Sequence, residues 1–192
     1  MRVNEIFYSL QGEGYYTGTP ATFIRFAGCN LKCPFCDTDF KCSNEWTEEE
    51  IVDRVKQNPA SLVVITGGEP SLQLTYSLVD KLHRAGKIVA VETNGTGKLP
   101  MNVNWITVSP KMAYVGDAGK PTLQAADEVK VVFDGEHEVE DYGIKANHYF
   151  VQPCDTGYEE ENREIINDCV EFIKNNPKWR LSLQTQKILN VR

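Results

Sequence analysis

The sequence predicts a single α/β domain built on a parallel sheet. Apolar, β-branched runs alternate with amphipathic helical patterns along the 192 residues, and polar residues follow several of these runs. With 41% hydrophobic and 24% charged residues, the chain can fill one core and is short for two. We therefore expect one domain over residues 1–192, with ligands at the carboxyl ends of its strands.

The predicted elements follow one another as strand and helix. Strands are expected at 21–27, 62–66, 88–92, 105–109, 128–133, 149–152 and 179–183. Thr47 and Glu50 form a capping-box pattern at the start of the first helix. A second helical pattern covers 71–85 and stops at Gly86. The third has an apolar face of Ile165, Ile166, Cys169, Val170 and Ile173, closed by Asn-Asn-Pro at 175–177.

Charge and composition narrow the class of protein. The formal net charge of −7 argues against direct binding to a nucleic-acid backbone, which rests on clustered Lys and Arg. No apolar run approaches the roughly 20 residues of a membrane span, and the first residues lack the features of a secretory signal. We expect a cytoplasmic protein, in which the six cysteines are ligands, catalytic thiols or core residues rather than disulfides.

Three cysteines lie close together in the segment 28–42. Cys29, Cys33 and Cys36 have the spacing C-x3-C-x2-C. Structural zinc requires four ligands, so Cys42 or a distant histidine would have to complete such a site. A [4Fe-4S] cluster held by only three thiolates leaves one iron open to a small ligand. The odd number of ligands therefore favours a reactive centre, while structural zinc stays open.

Polar groups follow several predicted strands. Gly67-Gly68-Glu69-Pro70 lies between a strand and a helix, where glycines allow the backbone to approach a ligand. Glu92, the pair Ser109 and Lys111, and Gln152 follow three other strands. Each of these could equally be an ordinary polar turn.

Taken together, the cysteine motif, with Phe35 before its last cysteine, and the GGEP turn resemble the radical S-adenosylmethionine superfamily. The stretch 4–38, with Ser-Leu-Gln-Gly-Glu-Gly at 9–14, and the ending 180–192 resemble the 7-carboxy-7-deazaguanine synthase family over essentially the whole chain. The resemblance implies an abbreviated (β/α)6-type partial barrel that binds a [4Fe-4S] cluster, S-adenosylmethionine and Mg²⁺.

The resemblance also implies an activity. Such a lyase uses a 5'-deoxyadenosyl radical to rearrange 6-carboxy-5,6,7,8-tetrahydropterin to 7-carboxy-7-deazaguanine, with loss of ammonia, in queuosine-type biosynthesis. No residue is expected to act as an acid or base, since the radical removes hydrogen from C6 of the pterin and the protein positions it. The implied partners are the pterin and an electron donor such as flavodoxin or ferredoxin, and a homodimer is the default assembly.

Site residues follow from the resemblance, position by position. The expected cluster ligands are Cys29, Cys33 and Cys36, and the expected Mg²⁺ ligand is Thr38. The expected cofactor contacts are Phe35, Asp37, Gly68, Glu69, Glu92, Ser109, Lys111 and Gln152. The expected substrate contacts are Leu10, Gln11, Gly12, Glu13, Arg25, Thr66, Gln186 and Arg192. Arg25 also suits a carboxylated pterin by its own chemistry, because a guanidinium binds a carboxylate through paired hydrogen bonds. A surface position or a structural ion pair is the alternative for this arginine.

Several points stay open. Gln186 stands where the resemblance leads us to expect His, and glutamine can hydrogen-bond but cannot carry a proton near neutral pH. Cys169 is expected in the core, whereas Cys42 and Cys154 have no assigned role. Two rival functions share parts of the pattern: an activating enzyme for a glycyl-radical protein, and a zinc-binding interaction module.

Overall fold

The computed structural model describes residues 1–36 and 43–192, and in these residues nine strands form one sheet. The strands are β1 (Arg2–Leu10), β2 (Pro20–Phe26), β3 (Asn44–Glu45), β4 (Leu62–Gly67), β5 (Ile88–Thr93), β6 (Trp105–Val108), β7 (Glu128–Phe133), β8 (His148–Pro153) and β9 (Arg180–Leu181). The helices are α1 (Glu48–Lys56), α2 (Tyr76–Arg84), α3 (Met112–Val115), α4 (Glu159–Asn175) and α5 (Thr185–Leu189), with 3-10 turns at Pro70–Leu72 and Gly116–Gly119.

Most of the sheet is parallel, as predicted. The strand order is β3-β1-β2-β4-β5-β6-β7-β8-β9, and each successive pair from β2–β4 to β8–β9 is parallel. β1 runs antiparallel to both β2 and β3. Within the described residues β3 and β9 do not pair with each other, so the sheet is not a closed barrel.

Alternation along each strand gives the sheet two different faces. One face packs on helices: Ile65 and Val91 join Leu78 of α2 in one buried cluster, while Val131 joins Cys169 of α4 in another. Each such side chain contributes roughly 1.5–3 kcal/mol when it leaves water. The opposite face carries the next residues along the strands and lines a cavity. The same period-two alternation thus builds the core and supplies the cavity wall.

Local signals explain where the helices begin. Thr47 accepts a hydrogen bond from the Glu50 amide, and the Glu50 side chain accepts one from the Thr47 amide, so the predicted capping box is confirmed. Gly86, just beyond the Ala85 cap of α2, has φ +76°, as a helix stop requires.

Among the described residues no helix has both the length and the apolar character needed to cross a membrane.

Three predictions about elements need correction, and one long strand was not predicted. The helix expected over 71–85 is a 3-10 turn followed by α2, because Thr75 caps a new helix. The Gln73 side chain contributes to this break, since its Oε1 accepts from the Arg2 amide and its Nε2 donates to the Ala27 carbonyl.

The other corrections concern strands and the last helix. β1 was not predicted, because a register shift between Val3 and Glu5 disrupts its alternation. The strand expected at 179–183 is reduced to Arg180–Leu181. Cys169 is buried as expected, but Ile166 and Val170 are 38% and 37% exposed and do not complete the apolar face.

Candidate active site

A cavity of about 330 Å³ lies on the concave face of the sheet, at the carboxyl ends of its parallel strands. Strand ends meet there because parallel strands all point the same way. The cavity wall contains most of the residues that the sequence singled out: Leu10, Gln11, Gly12, Glu13, Arg25, Cys29, Cys33, Phe35, Cys36, Thr66, Gly68, Glu92, Ser109, Lys111, Gln152, Gln186 and Arg192. The structure therefore brings residues from both ends of the chain into one site.

The three motif cysteines share this wall. Cys29 and Cys33 are partly buried and Cys36 is exposed. The Cys36 amide donates to the Cys33 carbonyl at 3.3 Å, and the Leu31 amide donates to the Cys29 sulfur at 3.4 Å. Burial raises the pKa of the Cys29 and Cys33 thiols, while the positive charge of Lys111 partly opposes this at Cys33. A bound cationic centre would supply the remaining charge that favours thiolates.

The donor set fits a cluster of several iron atoms. Within residues 1–36 and 43–192 no three His, Cys, Asp or Glu side chains converge as ligands of one metal ion. A cluster does not require such convergence, because each thiolate binds a different iron atom. Three thiols on one cavity wall could each bind a separate iron atom of such a cluster.

The GGE segment is held directly against the cysteine loop. The Gly68 amide donates to Phe26 O and the Glu69 amide donates to Gly28 O, both at 2.9 Å. A Cβ on Gly68 would overlap the carbonyl oxygen of Gly28. Only glycine permits this approach, so the end of β4 and the segment that carries Cys29 form one unit.

Glu69 lies behind the cavity wall rather than on it. Its carboxylate is fully buried, and it accepts from Thr93 Oγ1 at 2.6 Å and from the amides of Asn94 and Ser71 at 2.8 and 2.9 Å. These bonds tie the end of β4 to the end of β5. The side chain is absent from the lining of the cavity. Its contact with the cofactor stays a prediction, and the structure assigns it a supporting role.

Charged and polar groups on the wall are bonded to one another. Lys130 Nζ contacts Glu13 Oε2 at 2.7 Å and Glu92 Oε2 at 2.9 Å. Lys111 Nζ donates to Ser109 O at 2.9 Å, and desolvation lowers the pKa of Lys111 to about 8. Gln152 Oε1 accepts from the hydroxyl of Ser182 at 2.8 Å. The predicted cofactor contacts Glu92, Ser109, Lys111 and Gln152 lie at or just after the carboxyl ends of β5, β6 and β8.

Comparison with known proteins identifies the family. A 7-carboxy-7-deazaguanine synthase from Bacteroides thetaiotaomicron is 50% identical over 192 residues, which cover 100% of this chain and 98% of the relative. The chain belongs to the 7-carboxy-7-deazaguanine synthase family. The synthase of the same name from Haemophilus influenzae is 36% identical, with 97% of this chain and 92% of the relative covered.

Two further comparisons agree with this family. The radical SAM superfamily matches residues 23–111, the part of the chain that contains the cysteine motif and the GGE segment. The crystal structure of QueE from Escherichia coli superposes with a TM-score of 0.69 at 29% identity, covering 95% of this chain and 92% of that one. The predicted fold class, an α/β partial barrel of the radical SAM type, is confirmed.

In this synthase-family chain, a seam joins the segment after β1 to the closing residues of the chain. We define the seam as the hydrogen bonds between residues 12–14 and 182–186. The Thr185 amide and hydroxyl both donate to Gly12 O, and the Gly14 amide donates to Ser182 Oγ. Gln186 Nε2 donates to Glu13 Oε1 at 3.0 Å, while Gln186 Oε1 is buried against Gly12 and has no hydrogen-bond partner among residues 1–36 and 43–192. Gln186 therefore joins the hydrogen bonds of the cavity through its side-chain amide, which cannot titrate as the imidazole of the expected His would.

Several site residues were missed by the sequence analysis. Lys130 and Gln184 line the cavity, and Gln184 also donates to Glu13. Glu5 forms an ion pair with Arg25, which lines the cavity. The sequence does contain a signal for Lys130: it is a charged residue within the apolar run of β7, at a position that alternation assigns to the concave face. Asp37 and Thr38, predicted to bind the cofactor and Mg²⁺, lie outside the described residues, as does Cys42.

Glu128, also on the concave face of β7, gives a first testable prediction. Burial and the charge of Glu92 raise its pKa to about 7 from the ordinary 4.5, although Lys130 lowers it. The folded state therefore binds more protons than the unfolded state between these values, so stability falls as pH rises from about 4.5 to about 7. Glu128→Gln removes the titration and can still accept from the Tyr15 amide.

We expect Glu128→Gln to gain stability relative to the wild type as pH rises, by at most about 3 kcal/mol between pH 4.5 and pH 8. Urea unfolding of the cluster-free proteins across this range measures the difference. Glu138→Gln, at an exposed position, is the control and should follow the wild type. A pH-independent difference for Glu128→Gln would show that Glu128 does not titrate in this window.

Proposed function

We propose that this chain is a 7-carboxy-7-deazaguanine synthase, which converts 6-carboxy-5,6,7,8-tetrahydropterin to 7-carboxy-7-deazaguanine with loss of ammonia. The observation that carries the proposal is the shared cavity: the three motif cysteines and the predicted pterin contacts line the same wall. Identity of 50% to a synthase of this name over the full chain supports it.

The proposed roles divide the cavity into two parts. Cys29, Cys33 and Cys36 hold a [4Fe-4S] cluster, and Phe35 and Gly68 lie beside it on the wall. Polar groups at the strand ends, namely Glu92, Ser109, Lys111 and Gln152, bind S-adenosylmethionine, and Glu69 supports them from behind. When bound, the cluster and S-adenosylmethionine supply the radical that removes a hydrogen atom from the substrate.

The substrate part lies toward β1, β2 and the closing segment. Arg25 and Arg192 supply guanidinium groups for the pterin carboxylate. The side-chain amides of Gln11 and Gln186 form hydrogen bonds with the edge of the heterocycle. Leu10, Gly12 and Thr66 complete the wall. Burial raises the pKa of Glu13, but the charge and hydrogen bond of Lys130 have the larger combined effect with Gln184 and Gln186 and lower it to about 2. This carboxylate is therefore ionised and can accept hydrogen bonds from the pterin. The protein thereby orients the pterin and excludes water.

Glu5 holds both proposed carboxylate-binding arginines. Arg25 Nε donates to Glu5 Oε1 at 2.9 Å, and the Arg192 guanidinium contacts Glu5 Oε2. Arg192 also lies over the ring of Phe7, 5.0 Å from its centroid. We expect Glu5→Gln to raise KM for the pterin about two- to fivefold with kcat within about twofold, because the arginines stay present but lose their orientation.

Steady-state kinetics of the reconstituted enzyme measure this effect. Glu171→Gln removes a comparable carboxylate from an exposed ion pair with Lys174 on α4 and should leave KM unchanged. An unaltered KM in Glu5→Gln would contradict the orienting role of Glu5.

Further parts of the proposal rest on the family resemblance. We propose Mg²⁺ bound through Thr38, a hydroxyl ligand of the kind that hard cations accept. A flavodoxin or ferredoxin is the proposed electron donor, and a cytoplasmic homodimer is the proposed form. A rival, activation of a glycyl-radical protein, would use the same cysteines but would require a protein substrate.

One experiment tests the proposed reaction. The protein is reconstituted anaerobically with iron and sulfide and then incubated with S-adenosylmethionine, reductant, Mg²⁺ and the carboxypterin. We expect a brown protein and 7-carboxy-7-deazaguanine in the absence of any protein substrate. A cluster-loaded protein that leaves the pterin unchanged would refute the proposed reaction, and a colourless zinc protein would refute the proposed cofactor. Omitting Mg²⁺ in a parallel reaction tests the metal proposal.

A further inference from the structure

Lys130 is a buried cation that joins two parts of the cavity. It is 4% exposed and lies on β7, the strand that also contributes Val132 to the wall. Its ammonium contacts Glu13 of the segment after β1 at 2.7 Å and Glu92 of β5 at 2.9 Å. These two carboxylates are distant in sequence and come from different elements. Lys130 joins the two carboxylates directly, while Gln11 connects Glu92 to the backbone amide of Glu13.

The remaining carboxylate oxygens are also occupied. Glu92 Oε1 accepts from Gln11 Nε2 at 3.2 Å, and Glu13 Oε1 accepts from Gln184 and Gln186 at 3.1 and 3.0 Å. The result is a continuous chain of contacts from Gln11 through Lys130 to the closing segment. A shift of either carboxylate must therefore move its partners as well.

Electrostatics oppose any separation within this network. Glu13 and Glu92 outweigh the effect of burial and raise the pKa of Lys130, so the ammonium remains charged. A charged ammonium removed from water is strongly destabilised when it loses a carboxylate partner. The position of Glu13 is thus linked to that of Glu92 through a cation that cannot be left unpaired.

We propose that Lys130 is a positioning residue that couples the binding of S-adenosylmethionine to the binding of the pterin. The inference rests on the proposed function, in which Glu92 contacts the cofactor and Glu13 the substrate. A ligand that fixes one carboxylate fixes the other through Lys130, and each ligand therefore binds more tightly when the other is present. Thermodynamic linkage makes this coupling reciprocal.

The coupling is measured by calorimetry on the cluster-loaded protein under anaerobic conditions. No reductant is added, so that no turnover occurs. S-adenosylmethionine is titrated with and without saturating carboxypterin, and the ratio of the two Kd values is the coupling factor. We expect a factor of at least about fivefold in the wild type. In Lys130→Met, whose unbranched side chain is one atom shorter and carries no charge, the factor should fall toward one.

Two further variants separate coupling from structural damage. Lys187→Met removes a lysine that also lines the cavity but pairs with Asp155, and it should keep the wild-type factor. If Lys130→Met does not fold, Lys130→Met combined with Glu13→Gln restores the net charge of the trio and should also give a factor near one. A merely structural role for Lys130 would lower stability and leave the factor unchanged.

The outcomes are distinct. A wild-type factor of one with both ligands bound, or an unchanged factor in the folded Lys130 variants, overturns the coupling and leaves the proposed function intact. Failure of the wild type to bind the pterin at all overturns the proposed function, and the coupling with it.

Discussion

Replacing any one of Cys29, Cys33 or Cys36 with alanine is expected to abolish turnover and lower the iron content of the reconstituted protein. The reason is that each thiol would bind a different iron atom, so two remaining ligands cannot hold the cluster. The cluster-free fold should be little affected, with a change of about 0.5 kcal/mol or less at the exposed Cys36. Iron analysis, the visible absorption spectrum and product formation together measure the effect.

Cys154 provides a matched control for this series. It lines the same cavity and is partly buried, but it lies outside the motif. Cys154→Ala should retain the iron content of the wild type. Full turnover in any variant of the three motif cysteines would refute their assignment as ligands.

Gly68→Ala should disrupt both the fold and the activity. The added Cβ would overlap the carbonyl oxygen of Gly28, which is backbone and cannot rotate away. Relief of this overlap would break the hydrogen bond from Glu69 N to Gly28 O and move the segment that carries Cys29. We expect the free energy of unfolding to fall by about 1–3 kcal/mol, the usual effect of overpacking, and turnover to fall at least about tenfold.

The control for this variant is Gly143→Ala, in the turn before β8. There the new Cβ meets no described atom within 4 Å, and only the positive φ of +73° opposes it, at about 1 kcal/mol. Turnover of the reconstituted enzymes, measured beside urea unfolding of the cluster-free proteins, should fall in Gly68→Ala and stay near the wild-type value in Gly143→Ala. Equal turnover of the two variants would contradict an effect of the backbone overlap on the site.

Local patterns predicted the parts of the fold that depend on local sequence. The strand before Gly67 and the capping box at Thr47 were visible because alternation and capping act over a few residues. Residues near strand ends, such as Glu92 and Gln152, could be placed at one edge because parallel strands share their direction. The common location of the cluster motif and the strand ends was therefore predictable.

Contacts between distant segments could not be predicted in this way. Glu13 and Lys130 are 117 positions apart and Glu5 and Arg192 are 187 apart, so only the three-dimensional fold shows that they meet. The hydrogen bonds that bury the Glu69 carboxylate between the ends of β4 and β5 likewise join segments that are separate in the sequence. The register shift in β1 and the Gln73 contacts similarly depend on tertiary structure.

The seam between residues 12–14 and 182–186 limits how this enzyme can be recombined with its relatives. Chimaeras with a single crossover near the middle would combine a first half and a last half that never shared these hydrogen bonds. A Gly12 from one parent would then have to accommodate whatever residue the other parent has in place of Gln186. Functional hybrids should arise more readily when both termini come from one parent and only the interior is exchanged.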